Sequence, residues 1–335
     1  MKIEENYSLL HLNTFHLAVK ARRFIEYENE QELVVSLRGA YTRKLSVLPI
    51  GQGSNLLFLK DFDGIVLHSA IKGITLAGET DENVFLRVGA AEVWDDVVQY
   101  AVDKGWGGIE NLSLIPGETG AAAVQNIGAY GVEIKDVVEK IEAISTVDYE
   151  KRTFSNADCK YDYRTSIFKK KPTCMITHVT LRLQKKTVFH LDYGNLKEIL
   201  DVNKPVTLQQ IREAVKTVRR KKLPDPNEMG NAGSFFMNPT VTSEKLTQLV
   251  KDNPSIPYYP ANDGFVKLSA GWLIEQCGLK GIRFGQVGVY ERQALVIVNY
   301  GGATGIEIAQ LAGHIRDTVY QRFDIQLVPE VKYIA

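Results

Sequence analysis

The chain has 335 residues, more than one hydrophobic core usually serves, so two or three domains are expected. Its 40 basic and 40 acidic residues balance, which leaves no whole-molecule field toward nucleic acid or anionic lipid and makes any phosphate binding a local matter. No stretch approaches the roughly 20 apolar residues of a membrane helix. Met1 to Leu12 mixes Lys2, Glu4 and Glu5 with single apolar residues, unlike a signal peptide, so a cytoplasmic protein with no membrane partner is expected.

In chain order, Leu33, Val34 and Leu37 at helical spacing predict a helix over 30–43, and 45–50 reads as a strand running into Gly51-Gln52-Gly53. Residues 56–59, 65–68 and 84–89 read as strands, and Val93, Trp94, Val97, Val98, Ala101 and Val102 mark a helix that stops near Gly105. Strands and helices alternate in this way to about residue 185. Thr207 can cap a helix whose apolar face is Leu208, Ile211, Val215 and Val218, with Pro224 and Pro226 ending it. Beyond it, 243–252, 269–277 and 304–323 read as helices, the last with Thr304 and Glu307 in capping-box spacing, while 294–300 and 325–328 read as strands. Cys159, Cys174 and Cys277 lack metal or disulfide spacing and read as reduced structural thiols, and the six histidines are isolated, so no metal site is expected.

Two glycine-rich segments stand out. Gly51-Gln52-Gly53-Ser54-Asn55 follows a strand and can turn successive backbone N–H groups toward one point, as an anion nest does. It is not a dinucleotide fingerprint, because Leu56 occupies the third glycine position and a strand follows; a plain tight turn fits the same residues. The second segment runs from Ile115-Pro116-Gly117-Glu118-Thr119-Gly120 to Gln125-Asn126-Ile127-Gly128-Ala129-Tyr130-Gly131. Glycines beside neutral amides suit a backbone that approaches a flat ligand and its diphosphate, which packing alone rarely requires; turns that merely let two domains touch are the alternative.

Together these segments closely resemble the FAD-binding part of the UDP-N-acetylenolpyruvoylglucosamine reductases, also called UDP-N-acetylmuramate dehydrogenases, and the resemblance runs from Asn13-Thr14-Phe15 to Pro329-Glu330-Val331. It implies an α/β and α+β protein with a vanillyl-alcohol-oxidase-type FAD-binding fold. The expected parts are two α/β subdomains (1–70 and 71–200), a smaller C-terminal α+β substrate domain (201–320), and a segment returning to the active site (321–335). By the same resemblance Gly51, Gly53, Ser54, Asn55, Gly117, Gly120, Gln125, Asn126, Gly128 and Gly131 fall in stretches that contact non-covalent FAD. The implied reaction is reduction of UDP-N-acetylglucosamine enolpyruvate with NADPH as co-substrate, by a protein expected to be a monomer that binds no nucleic acid.

Adding hydride to the terminal carbon of an enolpyruvyl ether pushes negative charge onto the adjacent carbon and its carboxylate, so a site needs a fixed cation and a proton donor. Arg164, in Tyr161-Asp162-Tyr163-Arg164-Thr165-Ser166-Ile167-Phe168, could bind a carboxylate bidentately or form a surface salt bridge. Ser234, in Gly233-Ser234-Phe235-Phe236, is either an exposed acid or a serine in an ordinary turn, and no nucleophile elbow surrounds it. Glu330 follows an apolar stretch and by itself reads as a solvated carboxylate. The resemblance implies that Arg164 stabilises the enolate, Ser234 protonates it and Glu330 assists. Met237 stands where many members carry lysine, which puts a cationic role there in doubt.

Arg219 and Lys222 lie three apart on a helix and can face one side, as substrate ligands or as part of a solvated basic face with Arg220 and Lys221. The resemblance carries substrate contact to Lys222, Asn238, Tyr259 and Gln293, and gives Tyr193 a place in a mobile loop that one subtype closes over the diphosphate. An FAD oxidase of the same fold group would need a covalent anchor, usually a His or Cys, and none adjoins Gly51 or Gly117. A non-catalytic nucleotide-sugar binder would have no use for a proton donor such as Ser234.

Overall fold

The computed structural model describes residues 1–335 apart from 193–195, 201–203 and 262–263. The chain forms two compact units, one of Met1–Tyr7, Ala21–Gln52 and Asp63–Arg220, the other of Ser8–Lys20, Gly53–Phe62 and Lys221–Ala335. Among the described residues no helix is long and apolar enough to cross a membrane.

The first unit carries one sheet on each side of residue 70. The earlier sheet runs in the order Lys2–Ser8, Lys20–Tyr27, Phe62–Ser69, Val47–Ile50. Its last two strands are parallel, with Ile50 opposite His68, and residues 51–61 form the connection that parallel pairing requires between them. Asn29 starts that helix by accepting the Glu32 N–H at 2.9 Å, and its buried face of Leu33, Leu37 and Ala40 packs on Ile25, Tyr27, Ile65 and Leu67.

The second sheet is antiparallel throughout its described pairs, in the order Lys151–Ser155, Val138–Ser145, Cys174–Gln184, Asn83–Gly89, Ile74–Glu79. Against it lie the helices Trp94–Asp103 and Thr119–Gln125, whose Trp94, Val97, Val98, Ala101, Ala122 and Ala123 share a core with Leu86, Val88, Val179 and Leu181. Trp94 is fully buried and its indole N–H donates to the Leu112 carbonyl at 3.0 Å. Thr207 caps the helix Leu208–Lys222 as its spacing predicts: its hydroxyl accepts the Gln210 N–H at 3.2 Å and the Gln210 side chain returns to the Thr207 N–H at 2.9 Å.

In the second unit the sheet Gly230–Ser234, Val296–Asn299, Val287–Val289, Arg283–Phe284 is covered by the helix Gly305–Phe323. That helix opens on the Thr304–Glu307 capping box read from the sequence. Residues 53–62 belong here because Leu56–Phe58 pairs in parallel with Lys332–Ile334 near the chain end. The expected strand over 325–328 does not form. Ile325 and Leu327 are buried and Gln326 and Val328 exposed, the alternation of a strand, but the stretch runs without a ladder and the laddered residues are Lys332–Ile334. It is held where Met237 N–H donates to the Val328 carbonyl at 2.9 Å and Phe236 bridges Pro329. Side-chain burial sets the extended backbone; a ladder also needs a partner edge in register.

Candidate functional site

In the first unit, Gly51 and Gln52 leave the end of a strand beside the Pro116–Gly120 turn. Gly117, at φ +124°, donates its N–H to Gln52 Oε1 at 3.1 Å and so ties the two turns together. A Cβ at residue 51 would lie 2.8 Å from Glu118 Oε2, so a side chain there would displace that carboxylate. Gly120 has a packing reason instead, since a Cβ there would lie 2.9 Å from the Ala90 Cβ.

The Thr119–Gln125 helix ends on Asn126, left-handed at φ 48° and fully buried. Its amide is spent inside the fold: Nδ2 donates to Glu133 Oε2 at 3.1 Å and to the Asp162 carbonyl at 2.9 Å, and Oδ1 accepts the Lys135 N–H at 3.2 Å. Gly128–Ala129 then pairs with Val132–Glu133 across a two-residue turn in which Tyr130 (φ 48°) and Gly131 (φ 82°) are both left-handed. That is the geometry of a type I′ hairpin, with tyrosine where Asn or Gly is usual.

Arg164 reaches this hairpin from a second left-handed turn, at φ 54°. Its guanidinium donates to the Gly128 carbonyl at 2.6 Å and the Asn126 carbonyl at 3.3 Å, and Nη1 lies 3.6 Å from Glu133 Oε1. A Cβ at residue 128 would sit 2.7 Å from Arg164 Nη1, so the glycine makes room for the arginine. Lys169 braces both neighbours, donating to Gln125 Oε1 at 2.6 Å and to the Arg164 carbonyl at 3.0 Å. Arg219 is half-buried, its Nε donating to the Leu114 carbonyl at 3.2 Å, and among the described residues no carboxylate lies within ion-pair distance of it. Burial pushes its pKa down and burial pushes that of the Tyr130 phenol up. Lys222, one turn on, is exposed.

In the second unit, Ser234 ends its strand exposed to solvent, just after left-handed Gly233 (φ 66°) and just before the fully buried Phe235. The Phe235 carbonyl accepts the Glu330 N–H at 2.8 Å, and Asn55 Nδ2 donates to the Glu330 carbonyl at 3.1 Å. Asn55, the Ser234–Phe235 step and Glu330 are thereby brought together from segments far apart in sequence. Gly53, at φ 65°, packs against the Leu12 carbonyl with no room for a Cβ, and its own carbonyl accepts the Thr14 N–H at 3.4 Å. Asn238 Oδ1 accepts the Ala270 N–H at 3.0 Å and Gln293 Oε1 packs against Gly271, so both serve the start of the helix Ala270–Gln276. Tyr259 lies exposed on the separate sheet Thr240–Thr242, Phe265–Leu268, Tyr258–Pro260. Tyr193 falls outside the described residues.

Residues 225–334 match the UDP-N-acetylenolpyruvoylglucosamine reductase C-terminal domain, and residues 21–148 match an FAD binding domain. The UDP-N-acetylenolpyruvoylglucosamine reductase of Porphyromonas gingivalis is 50% identical over 337 residues, with 100% of both chains covered. The chain belongs to the UDP-N-acetylenolpyruvoylglucosamine reductase family. The Bacteroides fragilis reductase is 46% identical over 334 residues, covering 99% of this chain and 100% of its own. A crystal structure of the Thermus caldophilus reductase shares the fold over 100% of both chains, with a TM-score of 0.72 at 22% identity. The enzyme is thus an FAD-dependent oxidoreductase of peptidoglycan precursor synthesis.

In the first unit, left-handed glycines at 117 and 131 bare the backbone as binding of an FAD diphosphate needs, and in the second unit left-handed Gly53 does so by itself. The buried Thr14 hydroxyl beside Gly53 has no partner among the described residues, which leaves a neutral donor free. Sequence reading passed over Tyr130 and Glu133; a non-glycine, non-asparagine residue in an A-Y-G turn gives only a faint signal for the first, and the second needs the fold to show its partners. It also passed over Glu30, Glu142 and His178, whose ligand atoms lie within 4.8 Å of one another. Lys151 reaches Glu30 and Glu142 at 2.9 Å and Arg87 reaches Glu142 at 2.7 Å, so cations of the chain itself neutralise the carboxylates and the cluster is an ion-pair network.

Proposed function

We propose that the enzyme reduces UDP-N-acetylglucosamine enolpyruvate to UDP-N-acetylmuramate with NADPH, acting in the cytoplasm as a monomer. In this reading residues 1–70 and 71–200 serve as the FAD subdomains, 201–320 hold the substrate and 321–335 return to the active site. The observation that carries it, within the reductase family, is the exposed Ser234 hydroxyl next to a backbone step that anchors Glu330. When bound, non-covalent FAD would supply hydride-transfer chemistry between NADPH and the terminal enolpyruvyl carbon. Ser234 Oγ donates a proton to the adjacent carbon, so the double bond is saturated and the enolate charge is discharged. Arg164 stabilises that charge, its turn fixed by Gly128 and Lys169. Glu330 supports the proton network around Ser234. Arg219, Lys222, Asn238, Tyr259 and Gln293 take the nucleotide sugar, and Tyr193 closes over its diphosphate.

The test separates the two half-reactions. Hydride transfer from NADPH to the flavin makes no enolate, so Ser234→Ala should bleach with NADPH at close to the parent rate. Reoxidation by the enolpyruvyl sugar nucleotide should then slow by about 10²–10⁴-fold, the range for one lost general acid. Anaerobic rapid-mixing absorbance reads both steps. Reoxidation at the parent rate would remove Ser234 from the reaction, and oxygen-driven turnover without the sugar nucleotide would point to an oxidase.

A further inference from the structure

Behind the Gly51 and Gly117 turns lies an imidazole that the reaction does not use. His68 stands opposite Ile50 in the parallel pair, level with the point where that strand gives way to Gly51. Its Nδ1 lies 2.9 Å from Glu26 Oε2 on the neighbouring strand, and its Nε2 lies 3.2 Å from Glu118 Oε1. One ring thus touches two carboxylates on opposite sides, with Phe24 stacked beside it at 6.0 Å. Glu118 is buried at 7% exposure, and its other oxygen, Oε2, is the atom that would meet a side chain at residue 51. The next residue back, Gly117, holds Gln52 through its N–H. The same two turns are therefore joined twice, once by Gly117–Gln52 and once by Glu118 pressed against Gly51 with His68 behind it.

We propose that His68, in its imidazolium form, is a positioning residue that clamps Glu118 and so fixes the spacing of the two turns that take the FAD diphosphate. The inference rests on the proposal that these turns hold FAD. Only the doubly protonated ring can donate to both carboxylates; the neutral ring has one N–H and turns a lone pair toward the other carboxylate. Loss of the proton therefore removes one tie and adds a repulsion. Glu118 Oε2 lies on the side of Gly51 where a side chain would be, so a shift of this carboxylate bears on both turns.

Burial by itself would lower the His68 pKa, but the hydrogen bonds and charges of Glu118 and then Glu26 outweigh it and raise the group above 6.5. Two further groups near the ring titrate well above it. Tyr27, which feels Glu118, is pushed up to about 12 by burial. Lys2, whose charge reaches Glu26 and Tyr7, is raised from an already high value by its bond to Glu4. For a raised histidine the stabilising form is complete below the ordinary value of 6.5 and is lost as pH rises through the higher folded value.

The holoenzyme is diluted and FAD release followed by the fluorescence of free flavin from pH 6 to pH 9. Release from the parent should accelerate about 10–100-fold across this range, the worth of one charge-assisted hydrogen bond. His68→Gln should release FAD fast and without pH dependence. Glu26→Gln, which keeps the ring and the inner contact, should move the transition to lower pH. A flat parent profile, or a His68→Gln profile with the parent's slope, overturns the clamp. Gly117→Val separates this from the site itself: if it discharges FAD while either of those results holds, only the clamp falls, and if it leaves FAD bound the assignment of the turns falls with it.

Discussion

Asn126 is the most exacting point of the Arg164 hairpin, and its removal has a size that can be worked out. Asn126→Ala deletes two bonds donated by Nδ2 and one accepted by Oδ1, all in a fully buried place. Neutral bonds contribute about 1 kcal/mol each and the one to the Glu133 carboxylate about 2. Alanine also tolerates the left-handed backbone at φ 48° about 1 kcal/mol less well than asparagine. The sum is roughly 4–5 kcal/mol, a large part of the 5–15 that holds an ordinary domain together. Asn126→Gly loses the same three bonds but is free of the backbone penalty, so it should be milder by about 1 kcal/mol. Asn126→Asp keeps the acceptor for Lys135 but sets a carboxylate against Glu133, and should match the alanine variant at neutral pH. Urea denaturation followed by tryptophan fluorescence measures all three. A cost below 1 kcal/mol for Asn126→Ala, or a glycine variant no better than the alanine one, would refute the hub.

Two further outcomes follow from the ion pairs and the cofactor chemistry. The hydrogen bond from Arg87, joined by Lys151, holds the Glu142 carboxyl down to about 2 from 4.5; a depressed acid contributes stability that is present above 4.5 and lost as pH falls through about 2. Screening by solvent reduces this to about 1–2 kcal/mol, so Glu142→Gln should lose that amount at pH 7 in chemical denaturation and show a correspondingly shallower acid limb, and an unchanged acid limb would contradict it. Acid precipitation of the holoenzyme should release all of its flavin into the supernatant, and yellow colour left in the pellet would mean a covalent link.

The local pattern was legible where one element satisfies itself. Thr207 and Thr304 announce helix starts because a cap lies within three residues of the N–H it receives. The 325–328 stretch was misread because its Ile325 and Leu327 alternation records burial and says nothing of a partner edge. The antiparallel order of the second sheet was equally out of reach, since its central strand Cys174–Gln184 pairs with strands that end some 30 and 90 residues earlier. Arg164, Ser234 and Glu330 stood out through motifs, yet nothing in those motifs says that the Phe235 carbonyl anchors Glu330.

The glycines show most clearly where motif reading and physics part. Gly128 lies in a Q-N-I-G-A-Y-G run that reads as a bare backbone for a ligand, and Asn126 in the same run reads as a neutral donor. In the fold Gly128 is small because the Arg164 guanidinium lies where its side chain would be, and Asn126 turns its donors inward to Glu133 and Asp162. The run therefore couples two tasks: its outer face can meet the cofactor while its inner face fixes the arginine proposed to meet the enolate. Moving either face disturbs the other, since both hang on left-handed residues at 126, 130 and 164 that strain the backbone unless their surroundings hold them. A substitution at Gly128 should accordingly act on the arginine before it acts on flavin binding, which is the opposite of what a cofactor-loop glycine would do.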